Sequence, residues 1–201
     1  DVYKRQAHGS LVIEDDFENE FVYLQKPTPS LFGLAGGQNV VYLGTFSRLL
    51  LPSIRISFMV LPPELSALYR KKADQYNQTA SKAEQIALCQ FIRDGHLAAQ
   101  TRKLKRLYSV KLKALRSAVR EVFGKDSQIQ TGAAGTSLAL TLSTTLTWQE
   151  LQKKAQTNGL RLQLLREAPG KITLILSCSS MPVADFVPAC KLLKNISQIQ
   201  N

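Results

Sequence analysis

The sequence predicts an α/β fold in three parts: a portion of a mostly parallel sheet, a long connecting helical segment and a small C-terminal α+β unit. Three observations support this. Three short apolar runs come early and open into polar or glycine-bearing loops, as buried strands of a parallel sheet do. A long stretch of helical periodicity follows, and beyond Gly124 strand and helix patterns alternate again at short spacing. With 201 residues, 44% hydrophobic and 20% charged, the chain can bury one or two cores; a disordered tail, collagen, a coiled coil and a disulfide miniprotein are excluded.

The first run, Leu11-Val12-Ile13, ends in Glu14-Asp15-Asp16, so a strand delivers carboxylates at its C-terminal end. The second, Val40-Val41-Tyr42-Leu43, opens into Gly44-Thr45-Phe46-Ser47-Arg48, and the third covers residues 54–61. Pro62-Pro63 closes it, because proline cannot continue a strand ladder and readily starts a helix. Between the first two runs, Pro27, Pro29, Gly33, Gly36 and Gly37 predict a loop. Residues 64–123 are helical by pattern, with Gly95 as the break and Leu104, Tyr108, Leu115, Val119 and Val122 recurring at three, four or seven. Residues 137–142 alternate as a strand. Residues 147–156 form a helix started by a Thr147/Glu150 capping box and stopped by Asn158-Gly159. Strands over residues 159–165 and 171–178 and a helix over residues 182–196 complete the pattern.

The 26 Lys and Arg against 15 Asp and Glu leave a formal charge of +11, which suits an anionic partner. Much of it comes from Arg102, Lys103, Lys105, Arg106, Lys111, Lys113, Arg116 and Arg120, with no acid between residues 102 and 120. The simpler reading is the solvated face of a connecting helix, ahead of a nucleic-acid surface. Cys89, Cys178 and Cys190 are far apart, odd in number and without CxxC spacing, so no disulfide framework or zinc knuckle is indicated and each is expected to pack as a small buried hydrophobe. His96 follows Gly95 with no second ligand at metal spacing, and reads as a capping or surface residue. No apolar run reaches the roughly 18 residues that span a bilayer, and no signal peptide is evident, so a cytoplasmic protein is expected. Asp1-Val2-Tyr3-Lys4-Arg5-Gln6 back-translates to a string resembling a transposon-end sequencing adapter. These residues are therefore expected to be a scar, with residue 7 onward the C-terminal part of something longer.

The segment from Tyr42 to Arg55 is the most informative. It places backbone amides, the hydroxyls of Thr45 and Ser47 and the guanidiniums of Arg48 and Arg55 in one strand-exit loop, a set suited to a phosphate monoester. Val12-Ile13-Glu14-Asp15-Asp16-Phe17-Glu18-Asn19-Glu20-Phe21 precedes it, and Gln85 to His96 and Arg102 to Tyr108 follow. Together these motifs closely resemble the aminotransferase-like domain of fold-type I pyridoxal phosphate proteins, in particular the effector domain of MocR/GabR-type regulators of the GntR group. The resemblance runs from about residue 7 to residue 195. It implies a division into a partial large cofactor domain (residues 7–100), a connecting helix (101–125) and a small α+β domain (126–201).

Carried over by position, the resemblance implies that Asp15 pairs with the pyridinium nitrogen of pyridoxal phosphate. Thr45, Ser47 and Arg55 would hold its phosphate. Arg48 stands where the family carries the Schiff-base lysine. A lysine can present a neutral amine, whereas a guanidinium with a pKa above about 12 cannot, so Arg48 should not attach the cofactor covalently. It could still lie over the ring or pair with the phosphate. Phe17 replaces a tyrosine, keeping the ring packing and losing a hydrogen bond to the cofactor's phenolic oxygen. Arg166 or Lys171 could bind a substrate carboxylate, and Thr136-Ser137 departs from the family's Leu-His.

The resemblance thus implies a cofactor- and ligand-sensing effector domain, homodimeric, responding to a small amino compound. DNA would be reached only through a winged-helix domain upstream. The alternative is a fragment of a class I/II aminotransferase. With Arg48 in place, transaminase activity is not expected, and pyridoxal phosphate would be held noncovalently or lost.

Overall fold

A computed structural model describes residues 10–16, 29–124, 127–131, 135–179 and 181–197. The adapter-like residues 1–6 and Phe17 lie outside the described residues. The described residues divide into two compact units, one running to Leu104 and the other from Lys105 onward.

The first unit holds a three-stranded sheet in the order β1-β2-β3: β1 (Val12–Asp15), β2 (Val40–Thr45) and β3 (Ser57–Val60). β1 runs parallel to β2, pairing Ile13 with Val41 and Asp15 with Leu43. β3 is antiparallel to β2, because the short connection between them leaves no room for the crossover a parallel pair requires. The middle strand is the buried one, with Val40 fully enclosed and Val41 nearly so. The flanking runs expected as buried strands are strands but are not buried. Ile13 is 66% exposed and every residue of β3 is exposed, because an edge strand gains cover only from one side. The third run also splits: residues 52–54 form a 3-10 turn and only Ser57–Val60 pair.

The stretch expected as a loop after β1 contains a short helix, α1 (Leu31–Leu34), whose Gly33 amide donates to the Ser30 hydroxyl at 3.0 Å. The predicted long helical region is three helices: α2 (Pro63–Lys72), started by proline; α3 (Lys82–Arg93), capped by Ser81; and α4 (His96–Phe123). Gly95, at φ 76°, makes the break between α3 and α4, as glycine's freedom in the left-handed region allows. His96 opens α4, exposed, with its ring 5.3 Å from that of Phe91. Cys178 and Cys190 are buried as expected, but Cys89 is exposed, because it lies on α3 away from Leu88, the one buried residue of that helix.

The second unit is an antiparallel sheet in the order β4-β5-β7-β6, formed by β4 (Gln128–Thr131), β5 (Ser137–Ser143), β6 (Gln163–Ala168) and β7 (Lys171–Ser177). Leu138, Leu140 and Leu142 of β5 and Ile172 and Leu174 of β7 alternate inward. They meet Leu112, Leu115, Val119 and Val122 of α4, Leu151 and Ala155 of α5 (Trp148–Thr157), and Phe186 and Leu193 of α6 (Phe186–Ser197) in one core. On the other parity Thr141 and Thr173 face each other across β5 and β7, their hydroxyls 3.0 Å apart. The capping box is present, with Thr147 and Glu150 satisfying each other's backbone amides. β6 begins later than its pattern predicts, at Gln163, because Gly159 at φ 75° and the residues after it first return the chain from α5. β4, too short and polar for periodicity to reveal, went unpredicted.

Candidate functional site

The carboxyl ends of β1 and β2, the edge where open α/β sheets place ligands, carry Asp15 and Thr45, and Ser47, Arg48 and Arg55 lie on the loop that leaves β2. Asp15 ends β1 and Thr45 ends β2; the parallel register sets Asp15 beside Leu43, so Asp15 and Thr45 project from the same sheet face. Asp15 is solvent-exposed, whereas Glu14 and Asp16 point to the opposite face and are half-buried. Of three consecutive carboxylates, therefore, only Asp15 faces the side shared with Thr45. The other two hold the scaffold. Glu14 receives the backbone amides of Leu31 at 2.8 Å and Phe32 at 2.9 Å, and Asp16 receives the Tyr42 hydroxyl at 2.7 Å.

Residues 46–56 loop from β2 to β3 over this edge. The Thr45 hydroxyl accepts the Ser47 amide at 3.2 Å and donates at 3.4 Å to the Ile56 carbonyl, which also takes the Phe46 amide at 3.1 Å. The donated bond is long and therefore weak. Because Ile56 keeps a second donor, the Thr45 proton can turn to a ligand at little cost. Buried Leu49 and Ile56 pin the loop at both ends, and Arg48 is half-buried beside Leu49 in sequence. Arg55 is exposed in the left-handed conformation, φ 49° and ψ 33°. A non-glycine residue there costs about 1 kcal/mol or more and is common at ligand sites.

Behind the loop, Gly44 sits opposite Phe58 across β2 and β3. A Cβ on Gly44 would fall within about 3.0 Å of three ring atoms of Phe58, so glycine lets that ring close over the strand. Phe58 in turn packs against Phe46 and Tyr42 with centroids 5.3 and 6.2 Å apart. This aromatic support and the Glu14 clamp were not anticipated. Strand parity alone would have separated Asp15 from its neighbours, but no local signal names their partners. Arg166 on β6 and Lys171 at the start of β7 are exposed and belong to the second unit. Among the described residues no cluster of three His, Cys, Asp or Glu could hold a metal, and no helix is long and apolar enough to cross a membrane.

The architecture is that of the fold-type I pyridoxal phosphate aminotransferases. It superposes on the multiple substrate aminotransferase of Thermococcus profundus with a TM-score of 0.81 at 20% identity, over 98% of this chain and 50% of that one. It superposes on the α-aminoadipate aminotransferase LysN of Thermus thermophilus, solved with N-(5'-phosphopyridoxyl)-L-leucine, with a TM-score of 0.77 at 24% identity over 97% and 52%. No family model matches the chain. The chain is homologous to part of the MocR- and PdxR-type HTH transcriptional regulators, and aminotransferases are also among its homologues. The uncharacterized HTH-type transcriptional regulator YdeL of Bacillus subtilis is 32% identical over 189 residues, 92% of this chain. A second B. subtilis regulator, YhdI, is 37% identical over 154 residues, 77% of the chain. The probable rhizopine catabolism regulatory protein MocR of Rhizobium meliloti is 30% identical over 160 residues, 80% of the chain. The chain spans 41%, 33% and 32% of these three relatives' lengths.

Proposed function

We propose that the chain is the aminotransferase-like, ligand-sensing part of a MocR/GabR-type transcription regulator and that its carboxyl-edge site holds pyridoxal phosphate without a covalent bond. One observation carries this reading: Asp15 and Thr45 end adjacent parallel strands, and Ser47, Arg48 and Arg55 follow in the loop to β3, yet the side chain where the resemblance puts the attachment lysine is a guanidinium. The donor set fits the cofactor. Asp15 supplies an anion for a protonated ring nitrogen, and two hydroxyls with Arg55 supply donors for a phosphate. When bound, pyridoxal phosphate supplies a ring that draws electron density from an amino compound. Arg48 can only donate hydrogen bonds and contribute charge there, so it positions the cofactor and does not bond to it.

In this reading residues 7–100 are part of the large domain, 101–125 the connecting helix and 126–201 the small domain, where Arg166 or Lys171 meets the carboxylate of an amino-compound effector. The regulator acts as a cytoplasmic homodimer and reaches its operator through a winged-helix domain upstream. A second reading, an aminotransferase fragment, draws support from 29% identity to the 2-aminoadipate transaminase of Thermus thermophilus. The absence of an amine at position 48 argues against it.

The test incubates the protein and an Arg48→Lys variant with pyridoxal phosphate, reduces with borohydride and measures mass. The expected result is an adduct on the variant alone, with the unsubstituted protein retaining dialysable cofactor. An adduct at Arg48 would refute the noncovalent reading, and no retention by either protein would refute cofactor binding.

A further inference from the structure

The long helix α4 carries a second feature that the carboxyl-edge site does not use. Arg106, Lys113, Arg116 and Arg120 are all exposed on it. At about 100° per residue these four positions fall within an arc of about 80°, and they extend along about 21 Å of helix. Half-buried Ser109 fills the gap between Arg106 and Lys113 on the same line. The opposite face of α4, with Leu112, Leu115, Val119 and Val122, is locked into the core of the second unit.

The row is unneutralised among the described residues, and the neighbouring groups show why this is unusual. Lys111 and Lys194 are spent on backbone carbonyls, of Ser179 at 3.1 Å and Val122 at 2.8 Å. Glu121, the nearest acid in sequence, is exposed but lies about 100° around the helix from Arg120, off the line of the row. Within the row, Lys113 and Arg116 stand three residues apart and Arg116 and Arg120 four, spacings at which like charges repel. The helix dipole favours a cation only in the last turn, which accounts for Arg120 and not for Arg106 or Lys113.

We propose that this face is a docking surface for the phosphate backbone of double-stranded DNA. It goes beyond the cofactor reading and stands or falls independently of it. A straight row of long cationic side chains on a rigid helix matches a line of phosphates, and contacts to phosphates carry no sequence information, so contact is insensitive to sequence. A membrane surface fits less well, because an interfacial helix must sink an apolar face into lipid, and that of α4 is occupied.

The test is fluorescence anisotropy of the full chain, held below the concentration at which it associates, with a labelled duplex of arbitrary sequence. Four phosphate contacts predict a slope of log affinity against log salt of about −3 to −4, a loss of about a hundredfold between roughly 50 and 200 mM. The triple variant Arg106→Gln, Lys113→Gln, Arg116→Gln should bring the slope to about −1. A triple variant removing the same charge elsewhere, Lys71→Gln, Lys72→Gln, Lys153→Gln, should leave the slope unchanged. In the unsubstituted chain, bound duplex should shield Lys113 and not Lys153 from amine acylation, a readout that needs no variant to fold. Absence of duplex binding, equal loss in the two triples, unshielded Lys113, or preference for phosphatidylserine vesicles or single-stranded RNA would overturn the proposal.

Discussion

The carboxylate of Glu14 bridges two consecutive backbone amides, those of Leu31 and Phe32, and so ties the end of β1 to the first turn of α1. Hydrogen bonds to a charged acceptor contribute about 1.5–3 kcal/mol, more than neutral ones. Glu14→Ala is expected to speed hydrogen exchange at Leu31 and Phe32 and to loosen α1, with Glu14→Gln intermediate because its carbonyl oxygen still accepts. Unchanged exchange at both amides would show that the clamp is dispensable.

Arg55 holds a left-handed backbone that glycine would adopt freely. Arg55→Gly should therefore leave thermal stability unchanged or raise it by up to about 1 kcal/mol. Its loss of a charge-assisted contact should weaken pyridoxal phosphate binding by about tenfold or more, with Arg55→Lys recovering part of the affinity. Equilibrium dialysis checks the binding. A glycine variant that binds as tightly as the parent would remove Arg55 from the phosphate site.

The three thiols should differ in reactivity. Burial, then the nearby charge of Glu121, pushes the Cys190 thiol up to about 11, and burial raises that of Cys178. Only exposed Cys89 should react promptly with a disulfide reagent at mildly alkaline pH, the other two reacting on unfolding. The sign of the linkage follows: between the ordinary thiol value of 9.0 and about 11 the unfolded chain has released the Cys190 proton and the folded chain has not. Stability should thus fall as pH rises through that window. Denaturant midpoints across it, compared with those of Cys190→Ala, check this; identical slopes would contradict it.

Ile13 and Met59 are 66% and 54% exposed and share a sheet face with Val41 and Leu43. An open apolar face bordered by unpaired strand edges associates in water. This chain expressed by itself is expected to aggregate and bind a hydrophobic dye, and Ile13→Lys with Met59→Lys should reduce both. A soluble monomer that unfolds cooperatively would contradict the expectation.

Much of the second unit was legible because its signals are local. The Thr147/Glu150 box and the alternation of Leu138, Leu140 and Leu142 each act within a few residues, as does the Gly95 break in the first unit. The strands of the first unit were legible too, but their burial was not, since burial depends on what lies beside each strand. β1 and β3 became exposed flanks of β2 by topology, which no apolar run encodes.

At the candidate site, the sequence by itself determined the chemical inventory: a carboxylate at Asp15, hydroxyls at Thr45 and Ser47, guanidiniums at Arg48 and Arg55, and no lysine between residues 42 and 55. Only the tertiary structure decided which groups are available. Parallel register turned Asp15 to the face of Thr45 and gave Glu14 and Asp16 structural partners distant in sequence. The same holds for α4, where composition announced the charge and folding chose its direction. By burying the Leu112–Val119 face, the core turned Arg106, Lys113, Arg116 and Arg120 outward together, because a helix can hide only one side of itself.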